Sequence, residues 1–164
     1  MTTQKYLQRK IQRVNEFFFR YQEVLKKDTH LWQLLEQYQK DFQHTQKVYT
    51  RVGVDQICAA CGRTKKVCCG LGMELYCEDV LLLLNLLLGF RFPEKRLKEH
   101  WCFFLKEDGC SLLIRPLLCR NYFCDELQES LSHNDLVSLQ EALGPEAESL
   151  FALLEYTKTL CPGI

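Results

Sequence analysis

A chain of 164 residues is the size of one ordinary domain and can bury a core without staples. Hydrophobic content of 47% and aromatic content of 12% argue against global disorder. The 21 basic and 21 acidic residues cancel, so no general electrostatic pull draws the chain to nucleic acid or to an acidic membrane.

The N-terminus, MTTQKYLQRKIQRVNEFFFR, mixes charged and apolar residues throughout. It lacks the unbroken apolar stretch and small-residue cleavage site of a secretory signal, so the expected location is cytoplasmic. Leu7, Ile11, Val14, Phe18, Tyr21 and Leu25 follow the four-three spacing of one helix face. After Lys26 and Lys27, Asp28 or Thr29 caps a second helix, whose stripe is Leu31, Leu35, Tyr38, Phe42 and Tyr49, interrupted by Thr45. Residues 1–50 thus read as an N-terminal helical hairpin packed on the core. A surface for a protein partner or for self-association is the alternative use of the same stripes.

From Tyr49 to about Cys77 the helical period is lost, and Gly53, Gly62, Gly70 and Gly72 punctuate a loop carrying five cysteines. Helix returns over Glu78–Leu88, with Glu78 and Asp79 in its first turn and Gly89 as its stop. The apolar run from Val80 to Phe90 is about half a bilayer span and contains Asn85, which makes it a buried helix and not a membrane segment. Pro93 predicts another short helix through Trp101. Trp101 to Cys124 is irregular again and holds four cysteines. Asn134 predicts the cap of a helix to Leu143, Gly144-Pro145 a break, and Glu146–Leu160 a last helix with Leu150, Leu153 and Leu154 on its apolar face. No strand alternation is convincing. The fold class is therefore all-α, a helical domain with two irregular cysteine-rich loops converging on a metal site. Residues 51–164 form that cysteine-cluster domain with its C-terminal helices, in one compact unit with the hairpin.

Nine of the ten cysteines lie between Cys58 and Cys124, and none precedes Cys58. In a reducing compartment disulfides are not expected, and core usage of cysteine as a small hydrophobe would not cluster in this way. Clustered thiols then point to metal. Cys58-Ala-Ala-Cys61-Gly62 is a CxxC, a spacing that lets two sulfurs face one ion; the thioredoxin-type alternative wants a βαβ setting that is absent. Adjacent side chains diverge, so Cys68 and Cys69 are expected to split between two roles. The second stretch supplies Cys102, Cys110, Cys119 and Cys124. Cys77 and Cys161 fit neither loop pattern and are expected to be packing residues or free thiols. Of four scattered histidines only His100 stands next to a cysteine-bearing segment.

Cys58, Cys61, Gly62, Cys68 and Cys69, followed by Cys102, Phe104, Leu105, Cys110, Arg115, Pro116, Cys119 and Arg120, resemble the two blocks of the YkgJ-type cysteine-cluster family. That family is described as zinc- or iron-chelating, with CxxCGxCC and then C-x-F-L, a further cysteine and R-P-x-x-C-R. The resemblance covers roughly residues 58 to 124. It departs at the gap between Cys61 and Cys68, which holds six residues where the family pattern has two; a longer loop costs little closure entropy. The resemblance implies a metal set drawn from Cys58, Cys61, Cys68, Cys69, Cys102, Cys110, Cys119 and Cys124. Thiolate clusters are anionic, and Arg115 and Arg120, which flank Cys119, are placed to offset that charge and donate to sulfur.

All-sulfur ligation does not choose between an iron–sulfur cluster and zinc. Three function classes follow: a metal or iron–sulfur protein in electron transfer, sensing or metal handling; a structural zinc module presenting a helical interaction surface; and, on the resemblance alone, a lysine N-methylase-like enzyme. No catalytic motif accompanies the third: no glycine-rich nucleotide loop, no Ser/His/Asp arrangement and no paired carboxylates.

Overall fold

The computed structural model describes residues 3–62 and 68–164, with the side chains of Thr3, Cys61 and Gly62 also outside the description. The chain is mostly helical, as its apolar periods predict. Helix α1 runs Thr3–Lys27 and α2 Thr29–Val52. Asp28 between them is the N-cap of α2, its carboxylate accepting from the Leu31 amide at 2.8 Å. Gly53, at φ 85°, ends α2 in the left-handed conformation that a side chain resists.

Helix α3, Val54–Gly62, follows at once. This corrects the expectation of an irregular loop there, because Gly53 is a stop between two helices and not the punctuation of a loop. Asp55 in the first turn of α3 is tied back to α2 by Gln46 Nε2 and Thr50 Oγ1. Beyond residues 63–67, which lie outside the description, comes a single 3-10 turn over Met73–Tyr76 and then α4, Asp79–Leu87. Glu78 is the N-cap of α4, and Gly89 at φ 86° lies just past its end.

The segment from Phe90 to His100 is not helical, contrary to the reading of Pro93 as a helix start. Leu105–Lys106 and Gly109–Cys110 form a two-stranded antiparallel hairpin, β1 and β2, where no strand was expected; Leu105 faces Cys110 in its register. Two short helices follow, α5 (Leu117–Arg120) and α6 (Asp125–Ser130).

The last helix, α7, runs unbroken over His133–Leu160, with Pro145 inside it and Ser132, not Asn134, as its N-cap. The local rule that Gly-Pro breaks a helix loses here to packing. Leu139, Ala142, Leu143, Leu150 and Leu153 of α7 are buried, and α7 lies chiefly against α2. Pro145 leaves the Glu141 carbonyl without its helical donor. The buried Thr45 hydroxyl of α2 donates to the neighbouring carbonyl, that of Ala142, at 2.9 Å.

Helix α1 packs on α4. Leu7, Val14 and Leu25 of α1, Leu31, Leu35 and Tyr38 of α2, and Leu81 to Leu84 of α4 share the larger core. A smaller core holds Val48, Tyr49, Val54, Leu127, Leu139, Ala142 and Leu143. Both hairpin stripes are thus spent largely on the chain's own interior.

Candidate metal centre

Four polar clamps build the region around the cysteines. In the first, the Cys102 amide donates to the Cys69 carbonyl at 2.8 Å, and the Leu71 amide to the His100 carbonyl at 2.9 Å. These bonds flank an antiparallel bridge between Gly70 and Trp101. Because side chains alternate across extended backbone, Cys69 and Cys102 project from one face of this ribbon and Trp101 from the other.

Glu74 is the second clamp. Its fully buried carboxylate pairs with Arg96 and accepts from the Gly72 and Phe103 amides at 3.2 and 3.3 Å. Burial alone would raise the Glu74 carboxyl, but Arg96 and the amides outweigh it and hold the carboxyl below its ordinary range. The turn leading into Cys77 is thereby fastened to the residue after Cys102.

The third clamp is Asn85, which interrupts the apolar run of α4. It is fully buried and fully satisfied: Nδ2 donates to the Leu81 and Ile114 carbonyls at 2.9 Å, and Oδ1 accepts from the Leu113 and Ile114 amides at 2.7 and 3.1 Å. It docks the stretch between Cys110 and Cys119 onto α4. A buried amide with all its valences met fixes register as an apolar side chain cannot.

Arg120 is the fourth. It is buried and forms a two-pronged pair with Glu146 of α7, at 2.9 and 3.1 Å, while also donating to Gln46 Oε1 at 3.2 Å. Its guanidinium lies 4.5 Å from the ring centroids of both Phe42 and Tyr49, and the Tyr49 hydroxyl donates to its carbonyl. The donors of Arg120 go to Glu146 and Gln46, while its charge opposes the upward shift of the Cys110 thiol. Arg115 lies closer to the expected role: it donates to the Cys110 carbonyl at 3.2 Å, and its charge opposes the upward shifts of the Cys110 and Cys119 thiols.

Held by these clamps, thiols from distant parts of the chain become electrostatic neighbours. Burial first, then Cys110 and Cys69 among its neighbours, push the Cys102 thiol up to about 12. Burial, Cys69 and Cys110 push Cys119 up to about 11, although that residue reaches solvent at one side. Cys77 is raised by burial and then by Cys102, Cys119 and Cys110. Sequence reading had set Cys77 aside, since it precedes a helix and matches no ligand spacing. The fold buries it beside α4 in the core that also holds Cys102.

The remaining candidates lie elsewhere. Cys58 is exposed on α3 and is felt by the buried Tyr49 hydroxyl. Cys61 belongs to the same helix, but its side chain lies outside the described residues. Cys68 is exposed whereas Cys69 is half-buried against the larger core, so the adjacent pair does diverge. Cys124 is the N-cap of α6 and packs on the smaller core. Cys161 is buried and raised to about 11 by burial alone, with no thiol neighbour contributing.

Among the described residues, no group of three or more His, Cys, Asp or Glu side chains is placed to hold a metal ion. The thiols are neighbours, not ligands already in place. Cysteine side chains change rotamer readily about χ1, and an all-thiolate donor set suits zinc or iron–sulfur chemistry. A cleft of about 1530 Å³ between α1 and the segment 92–103 has no cysteine in its wall. Among the described residues no helix is long and apolar enough to cross a membrane.

Comparisons with protein-family models, with curated proteins and with solved structures found no match to the chain. The likeness to the YkgJ-type pattern is carried by the quoted motif residues alone.

Proposed function

We propose that the chain is a metal-binding cysteine-cluster protein, taking iron as an iron–sulfur cluster or taking zinc. One observation carries the reading. Two separated stretches meet where the Cys102 amide donates to the Cys69 carbonyl at 2.8 Å, and Cys69 and Cys110 pack against the core that holds Cys102. On this reading the thiols turn toward the ion as it binds, and the positive charge of Arg115 offsets part of the charge of the thiolates. The Glu74 and Asn85 clamps keep the two stretches together, so the ordering entropy of the loops is met by folding and not by the metal.

An iron–sulfur cluster held there supplies electron transfer or redox sensing; zinc supplies a structural pin for the two loops. On this reading the chain's role is electron transfer, sensing or metal handling. The test is anaerobic purification of the full chain followed by metal analysis. Replacing Cys102 or Cys119 with Ser lowers the bound metal, whereas Cys161→Ser leaves it unchanged. Full metal occupancy in the Cys102→Ser and Cys119→Ser variants overturns the ligand set.

A further inference from the structure

Two cysteines stand opposite each other across a backbone pairing. The bridge between Gly70 and Trp101 sets the register of an antiparallel ribbon, and one residue out from it Cys69 lies directly across from Cys102. The Cys102 amide donates to the Cys69 carbonyl at 2.8 Å, which makes them a hydrogen-bonded cross-strand pair. Such a pair holds its Cα atoms about 5.5 Å apart with both side chains on one face. A disulfide spans Cα separations of about 4.4–6.8 Å, so the register brings the two sulfurs within bonding reach. Among the described residues the other antiparallel pairing, β1 with β2, sets Cys110 opposite Leu105 and offers no second thiol pair.

The ribbon is held without help from sulfur. The Glu74 carboxylate accepts from the Gly72 amide just beyond one strand and from the Phe103 amide just beyond the other, at 3.2 and 3.3 Å. Arg96 pairs with Glu74 and donates to the Trp101 carbonyl at 2.9 Å. With both backbones fixed, joining the sulfurs needs rotation of two side chains about χ1 and no movement of the chain. The two residues differ in access: Cys69 is half-buried, whereas Cys102 is 8% exposed. A reagent from solvent reaches Cys69 first.

We infer that Cys69 and Cys102 form a redox modification site, a dithiol that a small disulfide such as oxidised glutathione converts reversibly to a Cys69–Cys102 disulfide. The Cys69 sulfur, losing its proton, attacks one sulfur of the oxidant; a mixed disulfide forms, and the first glutathione leaves and takes up that proton. The Cys102 sulfur then attacks the Cys69 sulfur, the Cys69–Cys102 bond forms, and the second glutathione leaves with the Cys102 proton. Two protein thiols are oxidised, and one glutathione disulfide is reduced to two thiols. The second step is intramolecular between residues already opposite, which offsets the small thiolate fraction of a buried thiol. A reducing compartment keeps the pair as thiols, so the bond closes under oxidative load. The disulfide itself needs no metal; that its closure withdraws two ligands from the centre rests on the metal-binding reading above.

The test takes the full chain, reduced and stripped of metal, treats it with oxidised glutathione, quenches it in acid, alkylates it and maps it by mass spectrometry. The expected map joins the Cys69 and Cys102 peptides with the loss of two hydrogens, and dithiothreitol restores both thiols. In Cys102→Ser, checked for helical circular dichroism, Cys69 is expected to keep a glutathione adduct, because the thiol that displaces it is gone. The wild-type map alone decides if that variant loses its helices. A map that leaves Cys69 and Cys102 alkylated, or joins Cys69 to another cysteine such as Cys68 or Cys119, overturns the inference. Co²⁺ separates it from the metal reading, since thiolate ligation gives this ion a near-ultraviolet charge-transfer band. The reduced chain is expected to show the band and the oxidised chain to lose most of it. A cross-linked peptide with no band in the reduced chain leaves the disulfide standing and overturns the centre; a band with no cross-linked peptide does the reverse.

Discussion

The amide of Cys102 donates to the carbonyl of Cys69 at 2.8 Å, which joins the two cysteine-bearing stretches through their backbones next to the residues whose sulfurs matter. The junction does not depend on metal. Folding of the helices and loading of the centre are therefore separable, and the variants below divide along that line.

Cysteine substitutions should affect metal content before they affect the fold. Cys102→Ser, Cys110→Ser and Cys119→Ser are each expected to lose most bound metal, by elemental analysis, while keeping helical circular dichroism. Cys161→Ser should keep its metal. A Cys110→Ser variant with full metal and wild-type stability would remove that residue from the centre.

The buried pair of Arg120 and Glu146 predicts a stability effect of another kind. Glu146→Gln leaves a guanidinium that is 4% exposed without its counter-charge, which costs about 3–5 kcal/mol when a buried pair loses one member. Urea unfolding at neutral pH measures it. Glu36→Gln, which breaks an exposed pair with Lys40 on α2, should change stability by less than about 1 kcal/mol. Similar small losses for both would contradict the buried geometry.

Acid should weaken the fold through Glu74. Its folded carboxyl titrates below the ordinary range, since Arg96 and the amides outweigh burial. Its contribution is therefore complete above the unfolded carboxylate pKa of about 4.3 and is lost as pH falls through the lower folded value. Glu74→Gln should remove this part of the acid dependence and lower stability at pH 7. Parallel stability–pH curves for the wild type and the variant, from pH 7 down to pH 3, would show that Glu74 does not titrate as described.

Gly144 sits in mid-helix, exposed, and apart from its chain neighbours and its own helix backbone nothing lies within 4 Å of the position a Cβ would take. It precedes Pro145, whose Cδ crowds a Cβ on the helical residue before it. Gly144→Ala should therefore raise Tm, read by calorimetry, by less than the roughly 1–4 °C that an unhindered mid-helix change of this kind gives. A rise of the full size would show that Pro145 leaves room for the methyl group.

Elements governed by local periodicity were legible from the residues. The stripes of α1 and α2, the cap at Asp28 and the stop at Gly89 each follow from chemistry within a turn of the residue concerned. Pro145 was misread because Thr45 and the α2 face, distant in sequence, override the local rule. Gly53 signalled a stop, but α3 starts too soon after it for a period to show. Asn85 was visible as an interruption of the apolar run, yet its partners, Leu113 and Ile114, are far along the chain. Spacing singled out Cys69, Cys102, Cys110 and Cys119 as candidates, whereas no motif marks Cys77, which the fold buries in the same core as Cys102. It placed Arg120 near sulfur, and Arg120 does act on the Cys110 thiol, but its pairing with Glu146 on α7 is marked by no motif.

The central claim meets its most direct test in metal analysis of the full chain, purified without oxygen, read together with its visible spectrum. The account predicts bound metal in fixed proportion to protein: iron with acid-labile sulfide and absorption into the visible blue, or zinc in a colourless sample. Protein that is folded and helical, carries neither metal, and gives no thiolate band with added Co²⁺ would contradict it.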